Sequence, residues 1–239
     1  MNAEKNQPIW DKVWEKPDGW YPNEFVVRFL AKYVRKRTGL DSYEVCREGV
    51  DNVLDLGCGC GRHLVMLARE CYRTHGIDIS RKSISFAKQW LEREGLEADL
   101  RVGSTTDLPW EKESFDLVIS HGVLDHMDWR DARRTAEEVA RVLKPGGLFY
   151  LSLASTRESG YGRGEEVARH TFRVTEGAET GTVQRFFDFD DISRILNGCF
   201  EILDIVHDEW RAVQGKGFSA LDKESHPAFA RFHVASRKK

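Results

Sequence analysis

Short apolar runs alternate with amphipathic stretches along the middle of the chain. The apolar runs are rich in branched and aromatic residues, which is typical of buried parallel strands. They lie at residues 53–56, 74–79, 99–102, 115–120 and 148–153. Patterns of helical period separate several of them, at residues 62–71, 81–94 and 131–143. Such alternation predicts a mostly parallel sheet with helices on both faces, because right-handed crossovers place the helices there.

Both ends of the chain depart from this alternation. Residues 1–40 predict an N-terminal helical cap whose main helix covers 24–36. Two further strands, at 200–206 and 229–236, are expected to form an antiparallel hairpin at the edge of the sheet, with a long connection at 208–228 between them. The pattern as a whole predicts a doubly wound, Rossmann-like α/β fold with a mostly parallel sheet of seven strands.

Length and composition narrow the classes of protein. With 239 residues, one domain that spans 1–239 is expected, with the cap at 1–40, a core at 50–153 and a further region at 154–239. The net charge of −3 argues against nucleic acid as a partner. No window approaches the roughly 18 apolar residues of a membrane helix, and the first residues lack a targeting pattern, so we expect a cytoplasmic protein without membrane contact. Five cysteines, an odd number without paired spacing, are expected to be reduced thiols.

Basic residues gather on the predicted helix at 24–36. Arg28, Lys32, Arg35 and Lys36 are expected to share one face of it. A solvated face explains this pattern, and contact with an anionic substrate or RNA is the alternative.

A glycine-rich turn, NVLDLGCGCGRH at residues 52–63, follows the first core strand. Glycine is needed where the backbone takes positive φ or approaches a ligand closely. A dinucleotide loop has the spacing G-x-G-x-x-G, but here the third glycine comes one residue early. The carboxylate of Asp55 would repel a pyrophosphate and suits an ammonium group. A zinc site on Cys58, Cys60 and His63 lacks a second pair of ligands, so no metal is expected.

The turn resembles motif I of the class I methyltransferases that depend on S-adenosyl-L-methionine. Further segments resemble later motifs of that family in the same order, at residues 76–80, 101–110, 114–127 and 143–148. The resemblance implies S-adenosylmethionine as cofactor and S-adenosylhomocysteine as product. It assigns cofactor binding to Asp55, Gly57, Cys58, Gly59, Arg62, Asp78, Ile79, Ser104, Thr105, His121 and Tyr21. Asp78 would hold the ribose hydroxyls, and Tyr21 would face the methionine end. At Ser104 many family members carry an acidic residue, which is a departure here.

Methyl transfer from this cofactor requires a positioned acceptor and sometimes a base. His126 and His121 are the candidate bases, although His126 also suits a structural role and His121 a role in the cofactor wall. Asp125 is expected to orient such a base or to bind a substrate amine. Trp10, Trp14 and Tyr161 are expected to contact the acceptor.

Three segments resemble small-molecule methyltransferases near the thiopurine and tellurite-resistance types: the W-x-x-x-W pattern of the cap, the G-R-H continuation of motif I and the run at residues 180–188. The implied function is methylation of a small molecule at O, N or S by in-line displacement, in a monomer or homodimer. An RNA methyltransferase and a non-catalytic protein that binds S-adenosylmethionine are the alternatives.

Overall fold

The computed structural model describes residues 3–15, 20–210 and 229–239, and the side chains from residue 6 onward. In chain order the strands are β1 Arg35–Arg37, β2 Tyr43–Val45, β3 Asn52–Leu56, β4 Arg73–Asp78, β5 Asp99–Val102, β6 Phe115–His121, β7 Leu143–Ala154, β8 Glu165–Ala168, β9 Thr171–Arg173, β10 Val183–Arg185, β11 Phe200–Trp210 and β12 Phe229–Lys238. The α-helices are α1 Ala3–Val13, α2 Glu24–Tyr33, α3 Arg62–Arg69, α4 Arg81–Glu94, α5 Trp129–Val142 and α6 Phe189–Leu196, and a 3-10 turn covers Leu124–His126.

The main sheet has seven strands in the order β11-β12-β7-β6-β3-β4-β5. The five strands from β7 to β5 are parallel, and β12 is antiparallel to both β7 and β11. The predicted Rossmann-like fold and its antiparallel hairpin are therefore confirmed. After β5 the chain crosses to the other side of β3, so a crevice opens between the carboxyl ends of β3 and β6.

Helices cover both faces of this sheet with apolar side chains. On one face α2 packs Val26, Phe29 and Leu30 against the sheet residues Val53 and Tyr150. On the other face, the apolar stripes of α5 and α6 bury a larger cluster against β6, β7 and β12. Asp128 accepts a hydrogen bond from the amide of Asp131 and so caps the start of α5. None of the helices in the described part of the chain is both long and apolar enough to cross a membrane.

The predicted helix at 24–36 is too long. The helix ends at Tyr33, and Arg35–Arg37 instead pairs with Tyr43–Val45 in a small hairpin. The carbonyl of Val34 accepts hydrogen bonds from the amides of Cys46 and Arg47, which turns the backbone away from the helix. The predicted basic face is consequently wrong, because Arg35 and Lys36 lie on a strand.

The elements between β7 and β11 were not predicted from the sequence. β8, β9 and β10 form a separate antiparallel sheet in the order β10-β9-β8, and α6 follows it. Most of the predicted connection at 208–228 lies outside the described residues, and β11 itself continues to Trp210.

Candidate cofactor and acceptor site

The glycine loop joins β3 to α3 at the crevice. Gly57 and Gly59 have positive φ angles of 65° and 52°. A Cβ at Gly57 would lie 2.5 Å from the side chain of Val123, and one at Gly59 would lie 2.8 Å from the ring of Trp14. Both positions therefore require glycine, through backbone conformation and through close packing.

The amides of this loop donate hydrogen bonds within the protein. Those of Gly57 and Cys58 donate to the carbonyl of Ile77 at 2.8 and 3.0 Å, and that of Gly59 donates to Asp78 Oδ2 at 2.9 Å. A dinucleotide loop turns its amides toward a pyrophosphate. These three are already engaged, which supports the sequence-based prediction against a dinucleotide.

Asp78 lies at the carboxyl end of β4 with its carboxylate almost fully buried. Oδ2 accepts from Gly59, and Oδ1 accepts from the amide of Ser80 at 2.8 Å. Burial raises the pKa of Asp78, and the two amide hydrogen bonds oppose that shift. An ionised carboxylate has about four lone-pair positions, so about two remain for further donors. Two neighbouring sugar hydroxyls match that capacity.

A cavity of about 840 Å³, partly open to solvent, lies against the loop and Asp78. Five of the residues predicted to bind the cofactor line it, namely Gly57, Asp78, Ile79, Ser104 and Thr105. Trp10, Trp14 and His126 line it as well. The carboxyl ends of β3, β4, β5 and β6 thus meet around one space.

Helix α1 and the residues after it form one wall of this cavity. Trp14 packs on Gly59, and the ring of Trp10 meets that of His126 edge-on at 4.7 Å. Asp11 Oδ1 accepts hydrogen bonds from Ser80 Oγ at 2.6 Å and from the amide of Lys82 at 3.2 Å. Trp10 and Trp14, which were predicted to contact the acceptor, therefore share the cavity of the predicted cofactor residues.

In the loop after β5, the hydroxyl groups of Ser104 and Thr105 form hydrogen bonds within the protein. Ser104 Oγ accepts from the amide of Thr106 at 3.2 Å, and Thr105 Oγ1 bonds Thr135 Oγ1 at 3.0 Å. These contacts order the turn beside the cavity. Asp131, in the first turn of α5, also lines the cavity. Sequence reasoning missed Asp131 because it treated the residue only as the start of a helix.

Asp55 lies beneath the loop and is 1% exposed. Its Oδ2 is buried without a hydrogen-bond partner among the described residues, and His63 Nδ1 lies 3.8 Å away. The amide of Asn23 donates to His63 Nε2 at 3.2 Å, so the proton of a neutral His63 is on Nδ1 and faces Asp55. Asp55 is not among the residues that line the cavity, so its contact with an ammonium group stays a prediction.

His121 ends β6, and its imidazole contacts Arg62 from the start of α3. Arg62 Nη2 lies 3.2 Å from His121 Nδ1. A guanidinium only donates, so Nδ1 accepts and the proton of a neutral ring is on Nε2. Burial lowers the pKa of His121 well below its ordinary value, and nearby histidine and arginine charges add to this shift. The prediction of His121 as a base is therefore wrong, because the ring presents a donor. His121 is not among the residues that line the cavity, although the next residue, Gly122, is.

Tyr21 and Cys58, which were predicted to bind the cofactor, do not line the cavity. The Tyr21 side chain is 85% exposed and does not line the cavity, since α2 begins only at Glu24 and Trp14 covers the loop instead. The thiol of Cys58 packs into an apolar cluster with Leu64 and Ile84, where burial raises its pKa. Only the backbone of Cys58 belongs to the loop.

Two predicted acceptor contacts are also wrong. Asp125 is buried with both oxygens engaged, because Oδ1 accepts from the amide of Ala154 at 2.7 Å and Oδ2 pairs with Arg231. It is engaged neither with His126 nor with the cavity. Tyr161 packs edge-on against Phe172 and Phe186 of the small sheet, where apolar contacts hold its ring outside the cavity.

Comparison with known proteins finds similarity to methyltransferases. Residues 53–147 match a family described as the methyltransferase domain. Methyltransferase GfsG of Streptomyces halstedii is 37% identical over 137 residues, which are 56% of this chain and 49% of that protein. The chain thus spans about half the length of this curated relative.

Solved structures share the fold. An S-adenosylmethionine-dependent methyltransferase from Methanosarcina mazei has a TM-score of 0.66 at 24% identity, over 80% of this chain and 94% of the other. The cyclase SpnF has a TM-score of 0.69 at 19% identity, over 100% of this chain and 97% of the other. The glycine loop and Asp78 lie within the segment, residues 53–147, that matches the methyltransferase domain.

Proposed function

We propose that the protein transfers a methyl group from S-adenosylmethionine to a small-molecule acceptor by in-line displacement. The observation that carries this proposal is the cavity between the glycine loop with Asp78 on one side and Trp10 and Trp14 on the other. Because the cyclase SpnF shares the fold, the fold alone does not decide the chemistry, and the proposal is based on the site.

The residues of the site fit the cofactor group by group. Asp78 would hold the ribose hydroxyls with its remaining lone pairs, and the unpartnered Oδ2 of Asp55 would accept from the ammonium group. Gly57 and the turn at Ser104 line the same cavity, and that turn would lie beside the adenine. When bound, S-adenosylmethionine supplies an activated methyl group on a sulfonium.

The protein's own contribution is placement and exclusion of water. A fixed near-attack geometry supplies on the order of 7 to 11 kcal/mol toward such a reaction. Trp10 and Trp14 cover the cavity and keep water from the reacting atoms. His126 is the proposed base. Its Nδ1 lies 3.5 Å from Glu179 Oε2, so a proton on Nδ1 faces that carboxylate. The other ring nitrogen, Nε2, would then take the proton of the acceptor.

A small acceptor is favoured over RNA because basic residues at 28–35 are paired with carboxylates of the protein. Arg28 pairs with Glu24 at 3.3 Å, and Lys32 pairs with Asp204 at 2.6 Å. Arg35 contacts Glu70. Cations that are already paired release fewer counterions on binding phosphates, which is the main source of affinity for nucleic acid.

The experiment is calorimetric titration of the protein with S-adenosylhomocysteine. We expect saturable binding, and a loss of about 1 to 3 kcal/mol in binding free energy for Asp78→Asn through lost charge-assisted hydrogen bonds. Asp41→Asn, on the exposed segment between β1 and β2, is the matched control. Absence of binding to the wild-type protein would reject the proposal.

A second measurement tests catalysis. Labelled S-adenosylmethionine is incubated with a panel of small hydroxy, amino and thiol compounds and, separately, with RNA. We expect label in a small molecule and a large decrease in turnover for His126→Ala. Label in RNA alone, or binding without turnover, would favour the RNA methyltransferase or the non-catalytic protein instead.

A further inference from the structure

Three polar side chains lie on one face of the sheet beside the cofactor cavity. His121 of β6 is paired with Ser152 of β7, and Ser152 is paired with His233 of β12. Residues paired across a sheet point to the same face, as do residues two apart in a strand. His121, His233 and Arg231 therefore lie on a common face, at the carboxyl ends of β6 and β7.

Arg231 directly borders the cavity wall. Gly122, which lines the cavity, follows His121, and a Cβ on it would lie 3.7 Å from Arg231 Nη2. Asp125 pairs with Nη2 and is itself fixed to the backbone of Ala154. This pair holds the guanidinium beside the cavity rather than in solvent, and the Arg231 side chain is only 12% exposed.

Two N–H groups near this position are buried without an acceptor. Arg231 Nε is buried and has no hydrogen-bond partner among the described residues. The same is true of His121 Nε2, which carries the ring proton because Arg62 donates to Nδ1. Buried donors without acceptors are rare in folded proteins, so both point to a ligand that brings acceptor atoms.

The surrounding charges favour an anion as that ligand. The charges of Arg62 and Arg231 both act on His121. Asp125 is already engaged, and Asp55 lies beneath the glycine loop as the proposed partner of an ammonium group. Glu158 is a further carboxyl near Arg231, with Oε2 buried and without a hydrogen-bond partner among the described residues, and burial raises its pKa, which opposes its negative charge.

We propose that the methyl acceptor carries a carboxylate and that Arg231 Nε and His121 Nε2 donate hydrogen bonds to it. Arg231 is thus a specificity-determining residue for acidic acceptors. This inference rests on the proposed function and names its substrate class. The carboxylate of the cofactor's own methionine moiety has the same chemistry, and the experiment separates these two sources.

The test is calorimetric titration of the full chain saturated with S-adenosylhomocysteine. Acetate, benzoate and 3-phenylpropanoate are each compared with the corresponding primary amide. We expect at least one acid to bind about tenfold or more tightly than its amide, because charge-assisted hydrogen bonds are the stronger kind. Arg231→Gln should remove this preference and leave the affinity for S-adenosylhomocysteine within about twofold, as expected for a group that contacts only the acceptor.

Arg237→Gln is the matched control, since Arg237 lies on the same strand and pairs with the exposed Glu201. It should retain the preference for acids. Thermal unfolding identifies any variant that is not folded. If Arg231→Gln is unfolded, Arg231→Lys keeps a cation beside Asp125 but lacks the Nε donor, and it should also lose the preference.

Two results would overturn the inference. One is equal binding of each acid and its amide by the wild-type complex. The other is weakened binding of S-adenosylhomocysteine by Arg231→Gln with the preference for acids unchanged, which would assign these donors to the cofactor. Failure of the wild-type protein to bind S-adenosylhomocysteine would instead reject the proposed function, so the two failures are distinguishable.

Discussion

The packing of Trp14 on Gly59 of the glycine loop can be tested quantitatively. Gly59 has a φ of 52°, and an added Cβ would lie 2.8 Å from Cζ2 and 2.9 Å from Cη2 of Trp14. Gly59→Ala therefore carries two penalties. The left-handed backbone costs a residue with a Cβ roughly 1 to 2 kcal/mol. Displacing a packed ring costs typically about 1 to 3 kcal/mol more.

Gly95→Ala isolates the first penalty. Gly95 ends α4 with a φ of 65°, and nothing lies within 4 Å of an added Cβ. Urea unfolding should show a loss of roughly 1 to 2 kcal/mol for Gly95→Ala and of roughly 2 to 5 kcal/mol for Gly59→Ala. Alanine reduces the entropy of the unfolded chain equally in both variants, so the difference between them is unaffected.

A double variant attributes the difference to Trp14. In a Trp14→Ala background, Gly59→Ala should cost no more than Gly95→Ala, because the clashing ring is gone. Gly59→Ala alone should also weaken binding of S-adenosylhomocysteine. If Gly59→Ala and Gly95→Ala lose the same stability in the wild-type background, within about 0.5 kcal/mol, then Trp14 does not pack on the loop.

Three further predictions concern the surroundings of the site. Asp11→Ala removes the hydrogen bonds that Asp11 accepts from Ser80 Oγ and the Lys82 amide. The release rate of S-adenosylhomocysteine, measured by stopped flow, should therefore become several-fold faster. The control Asp41→Ala, at an exposed residue, should leave that rate unchanged. Asp125→Ala leaves the Arg231 cation unpaired and buried, and urea unfolding should show a loss of about 3 to 5 kcal/mol; a loss below about 1 kcal/mol would contradict the buried pair. Burial lowers the pKa of His233 from 6.5 to about 3. As pH falls, the unfolded chain therefore binds the proton before the folded chain does. The stabilisation from the neutral, buried His233 is fully present above pH 6.5, and below it the free energy of unfolding declines by at most about 1.4 kcal/mol per pH unit. His233→Gln should flatten that decline between pH 7 and 4, and an unchanged slope would count against it.

The sheet and the glycine loop were predictable because their signals are local. Each core strand is short and contains branched or aromatic residues, and its neighbours follow from the short crossovers between strands. The spacing of Gly57, Gly59 and Asp78 around such crossovers is enough to bring them to the same crevice. The match of helix α4 to its predicted bounds reflects equally local signals, with Ser80 capping its start and Gly95 ending it.

Contacts between distant segments were not predictable in this way. Asp125 has no sequence signal for Arg231, which is 106 positions further along the chain and reaches it only through the register of β12 on β7. Trp14 and Tyr21 are both aromatic residues of the predicted cap. That Trp14 and not Tyr21 packs on the glycine loop depends on the tertiary packing of α1. The hydrogen bond from Arg62 to His121 sets the tautomer of the ring, and such a bond has no local pattern.

The position of β12 has a consequence for biosynthesis. This strand lies between β7 and β11, although it is the later of the two hairpin strands in the chain. A nascent chain that has not yet released residues 229–238 from the ribosome leaves β7 as an unpaired edge, and exposed edges promote association with other chains. The same nascent chain also lacks Arg231. The proposed cofactor residues at 55–105 precede β12 in the chain by more than 100 residues, whereas the proposed means of selecting an acceptor requires residues 229–238 to be in place.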